Sequence, residues 1–177
     1  KNSLASISRI LVLEKVDSTS SEVSRKLKEE PGSVVLCVAD KQTAGRGRAG
    51  RLWHSPLSGN IYLSLSWTYT ELEKGFNGLS LAIGVAIKKT LEAFGYLDLK
   101  LKWPNDVIVR GSKLGGVLVE IIGDINSSFS VIIGVGINVN MSREEGSVID
   151  RSWVDLASIS EDSPPSRNDL IDRKSVV

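Results

Sequence analysis

The chain has 177 residues, 41% of them hydrophobic and 24% charged, with 22 Lys and Arg against 21 Asp and Glu and a formal net charge of +1. That length and balance describe one domain with a proper core, and they exclude a general nucleic-acid or membrane-surface binder, whose footprint is a large basic excess. A single cysteine, Cys37, excludes an intrachain disulfide and points to a reducing compartment such as the cytoplasm, while one Cys and one His (His54) are too few for a usual zinc site.

No apolar run approaches the roughly 20 residues that span a bilayer, and the opening KNSLASISRILVLEKV lacks a signal-peptide pattern. Residues 7–16 alternate partly and are rich in branched side chains, which predicts a strand. DSTSSEVSRKLKEEPG follows as a helix, in which Thr19 and Glu22 fit a capping box and Pro31-Gly32 is the stop. Residues 33–39 predict a short buried strand with Cys37 as a small buried hydrophobe. Beyond a Gly/Arg-rich segment, residues 60–67 (NIYLSLSW) alternate as a strand does. Residues 79–94 predict a helix, with Leu79, Ile83, Ile87 and Leu91 at four-residue steps and Gly95 past its end. Residues 97–103 and 106–110 read as strands broken by a Trp-Pro-Asn corner, and residues 114–122 and 129–139 as two more. From Met141 the composition turns polar, and Ser163-Pro164-Pro165 precedes a weak terminal helix. Clustered strands with few helices predict an α+β fold, a mixed sheet flanked by helices.

The segment AGRGRAGRLWHS sets three arginines among three glycines, and no acid occurs from Lys41 to Trp67. Its glycines match G-x-G-x-x-G, but a dinucleotide fingerprint must open a helix, and here a turn and another strand follow. Val85-Ala86-Ile87-Lys88 spells a kinase tetrapeptide inside a predicted helix, whereas the kinase lysine sits on a strand; no H-R-D or D-F-G follows. Guanidinium forks bind phosphate and carboxylate oxygens in paired hydrogen bonds, and glycines let backbone N–H groups approach the same oxygens. Composition alone leaves two readings open: such an anion cradle, or a solvated connection whose arginines pair with surface acids. Three later stretches add chemistry. KWPND (residues 102–106) groups a cation, a rigid corner, an amide and a carboxylate; SKLGGVLVE (112–120) sets Lys113 before two glycines; GVGINVN (134–140) ends an apolar strand in Asn138.

In order, DSTS, KQTAGRGRAGRLW, KWPND, KLGGVLVE and GVGIN resemble the catalytic domain of biotin–protein ligases, in the biotin/lipoate ligase superfamily. The resemblance runs from about Val16 to Asn140, with a weaker echo around Trp153. It implies a largely antiparallel, class II synthetase-like sheet. It also implies an enzyme that activates biotin with ATP and magnesium to biotinyl-5′-AMP and passes biotin to a lysine of a biotin carboxyl carrier protein domain of acetyl-CoA carboxylase. By the same resemblance Ser18, Thr19, Gln42 and Gly45 line the biotin site together with Arg46, Arg48, Lys113, Gly115 and Gly116. Arg48, Arg51, Trp53, Lys102, Asn105 and Asn138 then surround the nucleotide, and the catalytic set is Lys113, Arg48, Asp106 and Arg46, with Asp106 helping the acceptor lysine attack. The magnesium ligands are not assigned, and a homodimer is one assembly known in the family. The segment 45–51 is expected to be mobile when empty and to close over biotin and the adenylate. The chain is read as one catalytic domain over residues 1–177, cut short in its last helix, without a DNA-binding helix-turn-helix before it or a β-rich domain after it; no DNA or membrane partner is expected. Rival readings are a lipoate ligase, a non-catalytic biotin-binding protein and an RGG-like single-strand binder, the last opposed by the near-zero net charge.

Overall fold

In the computed structural model the described residues are 7–57, 59–69, 78–123, 129–160 and 162–172. Strand β1 (Arg9–Val16), helix α1 (Thr19–Glu29) and strand β2 (Val35–Gln42) form a β-α-β unit, in which β1 and β2 pair in parallel. Strand β3 (Ile61–Tyr69) returns antiparallel to β2. Helix α2 (Leu79–Glu92) then carries the chain to the far edge, where β4 (Leu99–Lys102), β5 (Asp106–Val109), β6 (Ser112–Gly123) and β7 (Phe129–Ile137) meander back until β7 meets β3. The result is one seven-stranded sheet in the order β1-β2-β3-β7-β6-β5-β4, antiparallel except for β1 and β2. The expected mixed, largely antiparallel α+β architecture is therefore present. Short helices α3 (Arg143–Gly146), α4 (Leu156–Ile159) and α5 (Arg167–Asp172) complete it.

Register decides which face does what, because directly paired residues share a face and neighbours along a strand do not. Leu101, Val107, Gly115 and Ile137 are linked by pairing across β4, β5, β6 and β7, and Gly84 of α2 lies against Leu101. Helix α2 therefore covers that face, and its Leu91 shares a core with Leu99, Val107, Ile137 and Leu156. The opposite face carries Gly134, which faces Ser20 of α1 and Ser64 of β3. There Val23 and Leu27 of α1 close over Val35, Cys37 and Ile132. Of the predicted apolar stripe of α2, Leu91 is buried and Ile87 packs against the same core, while Leu79 and Ile83 are half-buried; the kinase-like tetrapeptide lies within this helix, with Lys88 paired to Glu92.

One local expectation needs correction. Ser18, not Thr19, is the N-cap residue of α1, with extended φ −156° and ψ 136°, and no side chain caps the helix. Glu22 is instead held by Arg25 and Thr19 by more distant partners, so the capping box does not form. The Gly/Arg segment is a small hairpin. Arg46 bridges Leu52, the Gly47 N–H donates to the Arg51 carbonyl at 2.7 Å, and the Trp53 N–H donates to that of Gly45 at 2.9 Å. A 3-10 turn at Arg48–Gly50 forms its tip, with Ala49 and Gly50 at φ 55° and 72°. No α-helix follows it, which disposes of the dinucleotide fingerprint. Among the described residues no helix is long and apolar enough to cross a membrane.

Candidate active site

A cleft of about 920 Å³ opens on the α1 face of the sheet, roofed by the cationic hairpin. Its floor is a chain of hydrogen bonds whose direction can be worked out. The Thr19 N–H donates to Gln42 Oε1 at 2.9 Å, which fixes how the Gln42 amide is turned. The Thr19 hydroxyl also contacts Gln42 Oε1, at 3.2 Å, and must spend its one hydrogen there. Ser64 therefore donates to Thr19 across 2.8 Å, and Ser20 donates to Ser64 across 2.9 Å. On the other side Gln42 Nε2 donates to Ser55 Oγ at 2.8 Å, and Ser55 donates to the Trp53 carbonyl at 2.9 Å. What remains for a ligand is acceptor lone pairs on Thr19 and Ser20, one N–H of Gln42, and Ser18, which is 3% exposed. Ser55 and Ser64 escape a motif reading, their one signal being a serine at an inward position of a loop or an alternating strand, whereas Ser20 closes the DSTS stretch and sits in the first turn of α1.

The wall opposite is ionic. Lys113 Nζ lies 2.6 Å from Asp106 Oδ1, the two side chains only 17% and 21% exposed, and 5.1 Å from the centroid of the Trp53 ring. Lys113 is held through its backbone as well. Its N–H donates to the Ser152 carbonyl, and its own carbonyl accepts from Val154 N–H at 3.0 Å and from Asn138 Nδ2 at 3.4 Å. This parallel bridge places Trp153 beside β6, so the late echo around Trp153 has a structural part. Gly116 keeps the pair free, because a Cβ there would come 3.3 Å from Lys113 Nζ and 3.5 Å from Asp106 Oδ1.

Of the residues expected at the site, all but one line this cleft. Gly115 is the exception: it faces away, 2.8 Å from the Gly136 carbonyl by its missing Cβ, and serves close strand packing. Gly45 lines the cleft and has no room for a side chain, which would meet the Trp53 carbonyl, Ser55 and Gln42. Arg48, Arg51 and Lys102 are exposed on the rim. Arg46 also borders the cleft, but its guanidinium is engaged by Glu120 and Ser21. Two asparagines have largely structural amides. Asn105 Nδ2 donates to the Val117 carbonyl at 2.8 Å and Asn138 Nδ2 to that of Val154 at 3.1 Å, leaving their oxygens for a ligand. The Trp53 indole packs directly against Gly136.

Comparison with known proteins places this geometry. The family model of the biotin/lipoate A/B protein ligase family matches residues 12–138. The bifunctional ligase/repressor BirA of Escherichia coli is 39% identical over 147 residues, which cover 83% of this chain and 46% of that protein. The biotin–[acetyl-CoA-carboxylase] ligase of Mycobacterium tuberculosis is 36% identical over 143 residues, 78% of this chain and 50% of that protein. This chain spans about half the length of the curated relatives it matches. Among solved structures, the biotin protein ligase of Leishmania major in complex with biotinyl-5-AMP superposes with a TM-score of 0.72 at 30% identity, over 93% of this chain and 71% of that one. The Aquifex aeolicus biotin protein ligase in complex with biotin and ATP gives 0.71 at 32% identity, over 93% and 66%. With a family model spanning most of the sheet and relatives that share both sequence and fold, the chain belongs to the biotin/lipoate A/B protein ligase family.

Proposed function

We propose that the chain activates biotin with ATP to biotinyl-5′-AMP and transfers biotin to a lysine of a biotin carboxyl carrier protein domain, in a cytoplasmic setting that suits its lone buried thiol. The observation that carries this reading is the cleft itself: a hydroxyl and amide floor, a Lys113–Asp106 pair on one wall and a cationic hairpin above. The acceptors on Thr19 and Ser20 suit the two N–H groups of a ureido ring, and the free N–H of Gln42 and the Ser18 hydroxyl suit its carbonyl. The carboxylate end then reaches the ionic wall.

Joining a carboxylate to an α-phosphate brings two anions together, so the chain's task is to orient them and offset their charge. Lys113, steered by Asp106 and the Trp53 face, lies between the two reacting groups, and Arg48 and Arg51 come down on the phosphates from the hairpin. Lys102 and the free oxygens of Asn105 and Asn138 bracket the nucleotide, with Trp53 against its base. Among the described residues no group of three or more His, Cys, Asp or Glu side chains comes together, and Asp106 and Asp150 are the carboxylates lining the cleft. This donor set fits a magnesium ion carried on the phosphates of the nucleotide, not an all-protein cage. Such an ion would neutralise phosphate charge. Closure of the hairpin excludes water from the mixed anhydride, and Asp106 then steers the incoming lysine amine.

Incubation with ATP, magnesium and either biotin or lipoate tests this directly, with pyrophosphate release and carrier labelling as readouts. Biotin alone should support both. Lys113→Ala should slow pyrophosphate release by about 100-fold or more, the scale of removing one preorganised charge stabiliser. Normal release in that variant would remove Lys113 from its assigned role, and biotin binding without pyrophosphate would favour a sensor over an enzyme.

A further inference from the structure

Glu120, the acid that ends SKLGGVLVE, has no part in the chemistry above. It lies within β6 between Val119 and Ile121, paired to Ile132 in the core beneath α1. A carboxylate there is unexpected on an apolar strand. It opens into a second groove beside the cleft, lined among others by Ser21, Ser24, Arg25, Lys28 and Arg46. Arg25 is already engaged by Asp17 and Glu22. Glu120 takes Arg46, Oε2 to Nη2 at 2.8 Å, while Nη1 of the same guanidinium donates to Ser21 Oγ at 3.0 Å.

We infer that Glu120 is a positioning residue that, with Ser21, clamps the Arg46 guanidinium at the edge of the cleft and so anchors the stem of the cationic hairpin. The anchor stands on geometry alone; its consequence for ligand binding rests on the proposed function. Arg46 opens the hairpin, whose stem has few bonds of its own. Without a partner, its guanidinium would be repelled by Arg48 and Arg51 and the stem would splay. A clamp from β6 and α1 sets where the moving part begins, at Gly47. An exposed ion pair does little for global stability, yet it shifts a local opening equilibrium of a segment this lightly tied.

Trypsin digestion of the ligand-free full chain reads the hairpin through cleavage after Arg48 and Arg51. Glu120→Gln should raise that cleavage rate roughly three- to tenfold, as expected for a local opening made easier. The thermal midpoint should stay where it is, and biotin affinity measured by calorimetry should fall by a similar factor. Ser21→Ala should move cleavage the same way by less. The double variant R46A/E120Q should be cut no faster than E120Q, since both remove one contact. Cleavage of E120Q at the wild-type rate, additive effects in the double variant, or faster cutting throughout the chain with a lower midpoint would each overturn the anchor. If the wild type binds no biotin, the functional reading falls and the digestion still decides the anchor.

Discussion

Gly136 has no side chain because Trp53 occupies the space: a Cβ there would come 2.5 Å from the indole Cε2. The indole in turn carries Lys113 over its face, and its Nε1 is buried with no hydrogen-bond partner in the protein. One missing methyl thus sets the height of the ring on which the ionic wall is built. Gly136→Ala should lift Trp53 and destabilise the fold by about 1–3 kcal/mol, the usual cost of overpacking. Nucleotide affinity should fall more than biotin affinity, because the floor is held by hydrogen bonds among Thr19, Gln42 and Ser64 in which the indole has no part. Calorimetric titration with each ligand checks the split, and equal losses for both would place Trp53 against the biotin instead.

At the scale of elements, the entry to α1 shows how a surface ion pair serves a buried site. Arg25 reaches back to Asp17 with both terminal nitrogens, at 2.7 and 2.9 Å, and Asp17 accepts the Ser18 N–H at 2.8 Å. Principally through Arg25, with a smaller effect of the Ser18 N–H and opposed by slight burial, the Asp17 carboxyl is held at about 2. A depressed carboxyl contributes stability that is complete above its ordinary value near 4 and is lost as the pH falls toward 2. The pair is nearly half exposed, so its contribution is at most about 1 kcal/mol. Asp17→Asn should lower the urea midpoint at pH 6 and converge on the wild type near pH 2; a gap that persists at pH 2 would deny the ionic origin. Much of this element is legible in DSTS followed by a periodic run, and the strands are legible too, residues 7–16 and 60–67 in their alternation and the others as short apolar runs between turns. The partners are not: Thr19 turns to Gln42 and Ser64, 23 and 45 residues away, and no local spacing encodes a tertiary hydrogen bond. Gly115 and Gly116 look equivalent in K-L-G-G, yet successive strand residues face opposite ways, so only sheet register tells which one borders the site. Helices α3 and α4, four residues each, are too short to carry a period.

Across the whole molecule the sheet separates two cores, one under α2 and one under α1, and the cleft belongs to the second. Helix α1 therefore has two duties. Its first turn forms the floor of the site, and its apolar side, Val23 and Leu27, seals Cys37 against β7. Cys37 is fully buried, and burial pushes its thiol up to about 12, so it reacts only when this core opens. Anything that binds the native floor and not the opened state must then hold α1 down. A ligand at 100 times its dissociation constant stabilises the closed form by about 2.7 kcal/mol, which corresponds to roughly 100-fold slower exposure. Alkylation of Cys37 in native buffer should accordingly be slow, and saturating biotin should slow it by that factor. Ser64→Ala, which breaks the floor beneath α1 at the β3 position directly paired with Cys37, should weaken the protection. Labelling that ignores biotin would mean that the floor and the core open independently.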